Sequence, residues 1–303
     1  MGTLRICLLG TLRISHDGGP EQMKLGRSVR GLLAFLILFR ERIHAREALA
    51  GLFWGDSSED RARSSLSTAL WRLRTILEPE GTLRGTYLLS TATGEVGFNR
   101  ESDHWLDVAE LESRAAKMLV KPYQALTGDE VGGLENALEL YTGDLLEGFY
   151  DDWVLSERER IRSLYLKSRA HLLGYHRYKG SYDRALACGH YILNMDPLRE
   201  EIHREMMRLY EECGRRAQAL RQYESCCNIL KAELGVSPME ETQALRDKII
   251  KAKTPQLARS RAQGDISPAH QALRQLNEAL GSFDTAAGKL RRAGELLEEL
   301  IED

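Results

Sequence analysis

Asp60-Arg61-Ala62-Arg63-Ser64-Ser65-Leu66-Ser67-Thr68-Ala69-Leu70-Trp71-Arg72-Leu73-Arg74 is a basic, amphipathic stretch in a 303-residue chain of formal net charge -3. Ala62, Leu66, Ala69, Leu70, Leu73 and the following Leu77 recur at three- and four-residue spacing, so one side of a helix starting near Glu59 can face a core. Arg61, Ser64, Thr68, Arg72 and Thr75 project broadly to the other side. In isolation the default is a solvated surface helix, but the residues directly after it shift that balance. Tyr87-Leu88-Leu89, Thr93-Gly94 and Val96-Gly97-Phe98 read as a hairpin, and a helix followed directly by a hairpin is the arrangement of a winged helix.

Working back toward the amino terminus, Leu4, Ile6 and Leu8 alternate before Gly10. Leu12 and Ile14 alternate before the Asp17-Gly18-Gly19-Pro20 turn, which predicts a short antiparallel sheet. Ser28 is placed to cap a helix carrying Leu32, Leu33, Leu36 and Phe39. A second helix fits Ala45 to Phe53, with Ala48, Leu49, Leu52 and Phe53 as its apolar side, before Trp54-Gly55 ends it and Asp56-Ser57-Ser58 forms a turn or cap.

The outer face of the third helix has the donor types that a helix in a DNA major groove needs. Arginine makes two hydrogen bonds to guanine, and serine and threonine make less selective contacts. Arg61, Ser64, Thr68 and Arg72 are therefore the candidate base readers, while Arg63 and Arg74 on the flanks suit phosphates, which position a helix without reading sequence. Arg84 lies near the base of the wing. Trp71 points away from the apolar stripe and suits packing against the wing, against the following domain, or over the sugar-phosphate surface.

Charge distribution agrees with this placement. Residues 1–100 carry 14 Lys and Arg against 10 Asp and Glu, and the remainder carries 28 against 35, so the positive end is the better candidate for a polyanion. No uninterrupted apolar segment approaches the length that crosses a bilayer, and the first residues lack the basic start and apolar run of a secretory signal; a soluble cytoplasmic chain without membrane contact is expected. Cys7, Cys188, Cys213, Cys226 and Cys227 have no metal-site spacing, and their odd number makes no complete disulfide framework, so ordinary thiols are expected.

An enzyme is disfavoured. His44 and Glu47 are helically spaced without further convergent ligands, His171 and His176 are five apart, and His203 stands in a charged helix. The serines near the basic helix have no evident histidine-carboxylate relay, and no glycine-rich phosphate loop with its lysine occurs, so neither a cofactor nor nucleotide hydrolysis is expected.

Leu4-Arg5-Ile6-Cys7-Leu8-Leu9-Gly10, Leu52-Phe53-Trp54-Gly55-Asp56, Arg61-Ala62-Arg63-Ser64-Ser65-Leu66 and Leu73-Arg74 resemble the winged-helix regulators of the streptomycete antibiotic regulatory protein family, whose DNA-binding domain is similar to that of OmpR-type response regulators. The resemblance implies an amino-terminal sheet, three helices and a wing, with the third helix in the major groove of double-stranded DNA. It carries base reading onto Arg61, Ser64, Thr68 and Arg72, and a backbone role onto Arg63 and Arg74. One departure is that Gly85-Thr86-Tyr87 interposes threonine in a compact Gly-Tyr and leaves Arg84 as the nearby cation, which argues against minor-groove contact by this wing.

From about Asp103 the pattern becomes helical, broken at Thr142-Gly143-Asp144 and at Gly180. Gly180, Ala185 and Leu186 recur as Gly214, Ala219 and Leu220, an offset of 34 residues that fits a tetratricopeptide-like helix pair. Asp196-Pro197 is expected to begin the next unit, since proline is tolerated in a first helical turn. Helices at 104–119 and 130–170 should cap the two visible repeats.

Tyr141-Thr142-Gly143-Asp144-Leu145-Leu146, Asp152-Trp153-Val154, Glu157-Arg158-Glu159-Arg160, Asp196-Pro197-Leu198-Arg199-Glu200, Gly214 to Tyr223, and Glu233-Leu234-Gly235-Val236-Ser237-Pro238 look like the bacterial transcriptional activator domain. That resemblance implies a tetratricopeptide-like fold beside the DNA-binding domain that supports self-association or contact with transcription machinery, RNA polymerase included. Trp153 and Tyr223 read as core anchors before ligand-cage residues. Arg158 and Arg160 read as solvated or salt-bridged within the domain before partner-facing.

Thr254-Pro255 and Gly264 to Pro268 bracket a linker. Beyond it Leu273, Leu276, Leu280, Phe283, Ala287, Leu290, Gly294, Leu297 and Ile301 form a heptad-like seam weakened by Gly281 and Gly288. The seam can close a homodimer, fold back onto the central domain, or await a partner. The expected architecture is an α+β winged helix over 1–100, an all-α tetratricopeptide-like activator domain over 101–252, a linker over 253–268 and an amphipathic helical extension over 269–303. The expected function is sequence-specific DNA binding in transcription activation; the alternative is a protein-interaction scaffold with a vestigial winged helix.

Overall fold

The computed structural model describes residues 3–16 and 25–251. The Asp17 to Pro20 turn, the linker and the carboxyl-terminal seam lie outside the described residues. Strand β1 (Leu4–Cys7) pairs antiparallel with β2 (Arg13–His16), Ile6 opposite Ile14, as the two alternating runs require. Helices α1 (Arg27–Leu38), α2 (Arg46–Trp54) and α3 (Glu59–Leu77) follow, with the two-residue strand β3 (His44–Ala45) ahead of α2. Strands β4 (Leu88–Ser90) and β5 (Glu95–Phe98) make the expected hairpin, and β3 pairs along the other edge of β5.

The helix details correct three expectations. Ser28 does not cap α1: Gly26, in extended backbone, occupies that position and accepts from the Arg30 N–H at 3.1 Å. The inner side of α2 is Leu49 and Ala50 with Phe53 half-buried, whereas Ala48 and Leu52 are exposed. Residues 104–106, expected to open a helix, form β6 (His104–Leu106), which pairs parallel with β1 and places Leu4 opposite His104. The first sheet, ordered β2-β1-β6, is therefore closed by a strand that follows the winged helix in the chain.

The helical part comprises α4 (Asp107–Leu119), a 3-10 turn at Tyr123–Ala125, α5 (Gly128–Glu139), α6 (Asp152–Tyr178), α7 (Tyr182–Met195), α8 (Glu200–Glu212), α9 (Arg216–Leu234) and α10 (Glu240–Lys251). The 34-residue offset has a physical cause. Gly180 and Gly214 follow α6 and α8 at φ +72° and +70°, a backbone region that side chains with a Cβ avoid. Each sets the same helix-ending pair of bonds, Ser181 N–H to His176 O and Gly180 N–H to Arg177 O, repeated as Arg215 to Tyr210 and Gly214 to Glu211. Ala185 and Ala219 are fully buried where the next helix crosses. Pro197 is a correction, lying in the turn before α8, where its carbonyl contacts His203 Nε2 at 3.0 Å.

The two parts share one core, and residues up to Lys251 form one compact unit. Asp107, 2% exposed at the start of α4, accepts from the N–H groups of Leu8, Leu9 and Val108. Leu9 bridges to Leu145, and backbone bonds join Gly10 to Asp144, Leu146 to Leu8 and Glu147 to Gly10. Trp153, near the start of α6, stands edge-on to Phe35 of α1 at 5.2 Å and to Phe53 of α2 at 6.3 Å between ring centroids. It is an anchor, and its position is the seam between the winged helix and the helical domain.

Candidate nucleic-acid interface

The amphipathic period of α3 divides it cleanly. Ala62, Leu66, Ala69, Leu70, Leu73 and Leu77 are buried, while Arg61, Arg63, Ser64, Ser67, Thr68, Trp71, Arg72 and Thr75 are exposed. On one flank Arg61, Ser64, Thr68 and Arg72 line a shallow groove with Arg27 and Ser28 from the start of α1 and Ser57 from the turn before α3. On the other, Ser67, Trp71, Arg74 and Thr75 line a groove with Arg46 of α2 and with Thr82, Arg84 and Ser90 from the wing side. The four candidate base readers are thus brought together, and Trp71, 66% exposed, falls on the wing side.

The arginines differ in what they already hold. No ion pair or hydrogen bond within the described residues engages the side chains of Arg61, Arg72 and Arg84. Arg63 pairs with Glu59 one turn earlier at 2.6 Å, both side chains exposed. Arg74 is only 15% exposed, pairs with Glu78 at 3.1 Å and donates to Ser90 Oγ at 2.8 Å, so it ties α3 to the hairpin. Arg46 similarly donates to Ser67 Oγ at 2.8 Å.

Glu78 is the hub of the wing's attachment. Its Oε1 accepts from the N–H groups of Gly85, Tyr87 and Leu88 at 3.0–3.1 Å, while Oε2 takes Arg74. Burial pushes its pKa up, but the three backbone donors and the Arg74 charge outweigh burial, and the net shift is downward. At the tip of the hairpin, Thr91 and Thr93 donate to Glu95 Oε2, so this turn presents a carboxylate.

The hydroxyls of α3 are also committed. Ser67 donates to Arg63 O at 2.9 Å, Thr68 to Ser64 O at 3.1 Å and Thr75 to Trp71 O at 3.0 Å. Arg46, Arg27 and Thr75 were not among the candidate residues; Arg46 and Arg27 approach α3 only through packing of α1 and α2, which leaves no local signal in the chain.

Elsewhere, Arg158 donates to the carbonyls of Leu145, Leu146 and Phe149, fixing the loop that meets β1. Arg160 joins Glu157 on α6 and Glu112 on α4 at 2.8 and 2.6 Å. The histidines serve packing: His176 meets Glu135 at 2.9 Å, and His203 meets Gln222 at 2.7 Å as well as Pro197. Burial pushes the pKa of His171, His176 and His203 down. Among the described residues no three His, Cys, Asp or Glu side chains are placed to hold a metal, all five cysteines are free, and no helix is long and apolar enough to cross a membrane.

Residues 106–250 match the bacterial transcriptional activator domain. Regulatory protein AfsR of Streptomyces coelicolor is 29% identical over 307 residues, covering 98% of this chain and 29% of AfsR. AfsR of Streptomyces griseus is 27% identical, covering 82% and 25%, so the chain spans less than a third of the length of either relative. Transcriptional regulatory protein MoaR1 of Mycobacterium tuberculosis is 26% identical, covering 82% of this chain and 80% of MoaR1. The structure of Mycobacterium tuberculosis EmbR in complex with a low-affinity phosphopeptide superposes with a TM-score of 0.65 at 21% identity, over 82% of this chain and 65% of that one, which is a likeness of fold. AfsR and MoaR1 are regulatory proteins; the chain is similar to them over most of its length and resembles the streptomycete antibiotic regulatory protein type, with residues 106–250 matching a bacterial transcriptional activator domain.

Proposed function

We infer that the chain is a sequence-specific, double-stranded DNA-binding transcription activator. In this reading α3 enters the major groove, Arg61, Ser64, Thr68 and Arg72 read base edges, and Arg63, Arg74 and Arg84 hold phosphates on the flanks. The observation that carries it is the pair of exposed arginines, Arg61 and Arg72, that have no internal partner among the described residues and share one groove of a helix whose opposite side is buried. An unpaired guanidinium keeps its donors for an external acceptor, and its planar fork matches the two acceptors of guanine. The helical domain contacts RNA polymerase, with Arg160 and the loop fixed by Arg158 near the junction of the two parts.

Enrichment of a random-core duplex pool by the full chain tests the DNA-reading half: one recurring motif supports it, and a pool without a motif after repeated rounds contradicts it. Run-off transcription from a promoter bearing that motif tests the activator half. A second reading, a protein-interaction scaffold without sequence-specific DNA binding, is favoured by the hairpin tip, where Glu95 would repel a phosphate backbone. A stable protein complex together with an unenriched pool would select it.

A further inference from the structure

Trp71 is unexplained by the fold. The residue is 66% exposed, and among the described residues its ring stacks on no other ring and receives no cation. Exposing so large an apolar side chain forgoes the stabilisation that burial would give. Seven residues separate it from Ser64, a rotation of about 20° around the helix, and four separate it from Thr75, about 40°. Trp71 therefore lines the wing-side groove on the solvent side of α3, next to the candidate base readers. Any duplex that seats Ser64 and Thr68 against base edges covers the indole as well.

The neighbouring hydroxyls narrow what that contact does. Ser67, Thr68 and Thr75 each spend their proton on the carbonyl one turn earlier, so toward a ligand they remain acceptors. Acceptors take the amino protons of adenine or cytosine; thymine instead offers an acceptor oxygen, which Arg61, Arg72 or Ser64 can meet, and a methyl group, which only an apolar contact reads. On this side of α3 the apolar groups are the γ-methyls of Thr68 and Thr75 and the Trp71 ring, which has by far the largest surface and reach.

We propose that Trp71 is a specificity-determining residue that contacts the C5-methyl group of thymine in the major groove. This rests on the reading of α3 as the DNA-binding helix. The test uses the full chain and the duplex enriched by it from the random-core pool, with each thymine replaced singly by deoxyuridine, which removes the methyl alone. At one or two positions the wild type should lose about fourfold in affinity, the effect of one buried methyl group. Trp71→Ala should bind the thymine and uracil duplexes equally at those positions, Trp71→Phe should keep part of the preference, and both should keep the wild-type melting temperature because the site is exposed. A wild type indifferent to every replacement, or a Trp71→Ala variant with an unchanged thymine preference, overturns the role of Trp71 while leaving the DNA-reading helix standing. A pool that yields no motif overturns both.

Discussion

Arg61 and Arg72 differ from Arg63 and Arg74 in what their guanidinium groups already hold, and the difference predicts distinct phenotypes. Arg72→Ala should weaken binding to the enriched duplex by about 1–3 kcal/mol and relax preference at one base pair. Arg63→Ala should weaken all sequences alike and lower the slope of affinity against salt by about 1, with no change in stability. Arg74→Ala should lower the melting temperature as well as affinity, because it also frees Glu78 and Ser90. Titrations of the three variants at several salt concentrations, paired with thermal melts, separate these outcomes; identical profiles would contradict the assignment. The inner and outer sides of α3 were legible from the 3.6-residue period alone. The commitments of Arg74 and Arg46 were not, because their partners Ser90 and Ser67 lie on other elements.

At the scale of elements, the wing is held to α3 by one carboxylate. Glu78 is 4% exposed at its side chain and has a lowered pKa, so the stabilisation from its ionised form is complete above the unfolded carboxylate value of about 4.3 and is lost as pH falls through the lower folded value. Glu78→Gln should reduce the melting temperature at pH 7, and its gap from the wild type should close as pH is taken from about 5 toward 2. A gap independent of pH would show that the carboxylate charge contributes nothing. The hairpin itself was legible from Thr93-Gly94 between apolar runs, and the helix pairs from Gly180 and Gly214, since a left-handed turn selects glycine locally. Ser28 and Pro197 misled because a good capping or first-turn residue states a local preference that the extended Gly26 and the turn before α8 override.

At the largest scale, the winged helix and the helical domain form one compact unit up to Lys251 whose joints are Asp107, the Leu9 to Leu145 bridge and Trp153. Trp153 was legible as an anchor but not as a joint, and the pairing of β1 with β6 left no mark: Leu4 and His104 are a hundred residues apart, a range with no periodic signal. Trp153→Ala should cost about 3 kcal/mol and split urea unfolding into two transitions, since the rings of Phe35 and Phe53 lose their partner. A single transition at the wild-type midpoint would contradict the joint. The function proposed for the molecule depends above all on Arg61 and Arg72 presenting a sequence-reading surface. Titrating the full chain against the enriched duplex and a scrambled duplex of equal length, from low to physiological salt, tests it most directly. Preference for the enriched duplex should be about a thousandfold at physiological salt and should collapse in the Arg61→Ala, Arg72→Ala double variant. Equal affinity for both duplexes at every salt concentration would contradict the claim.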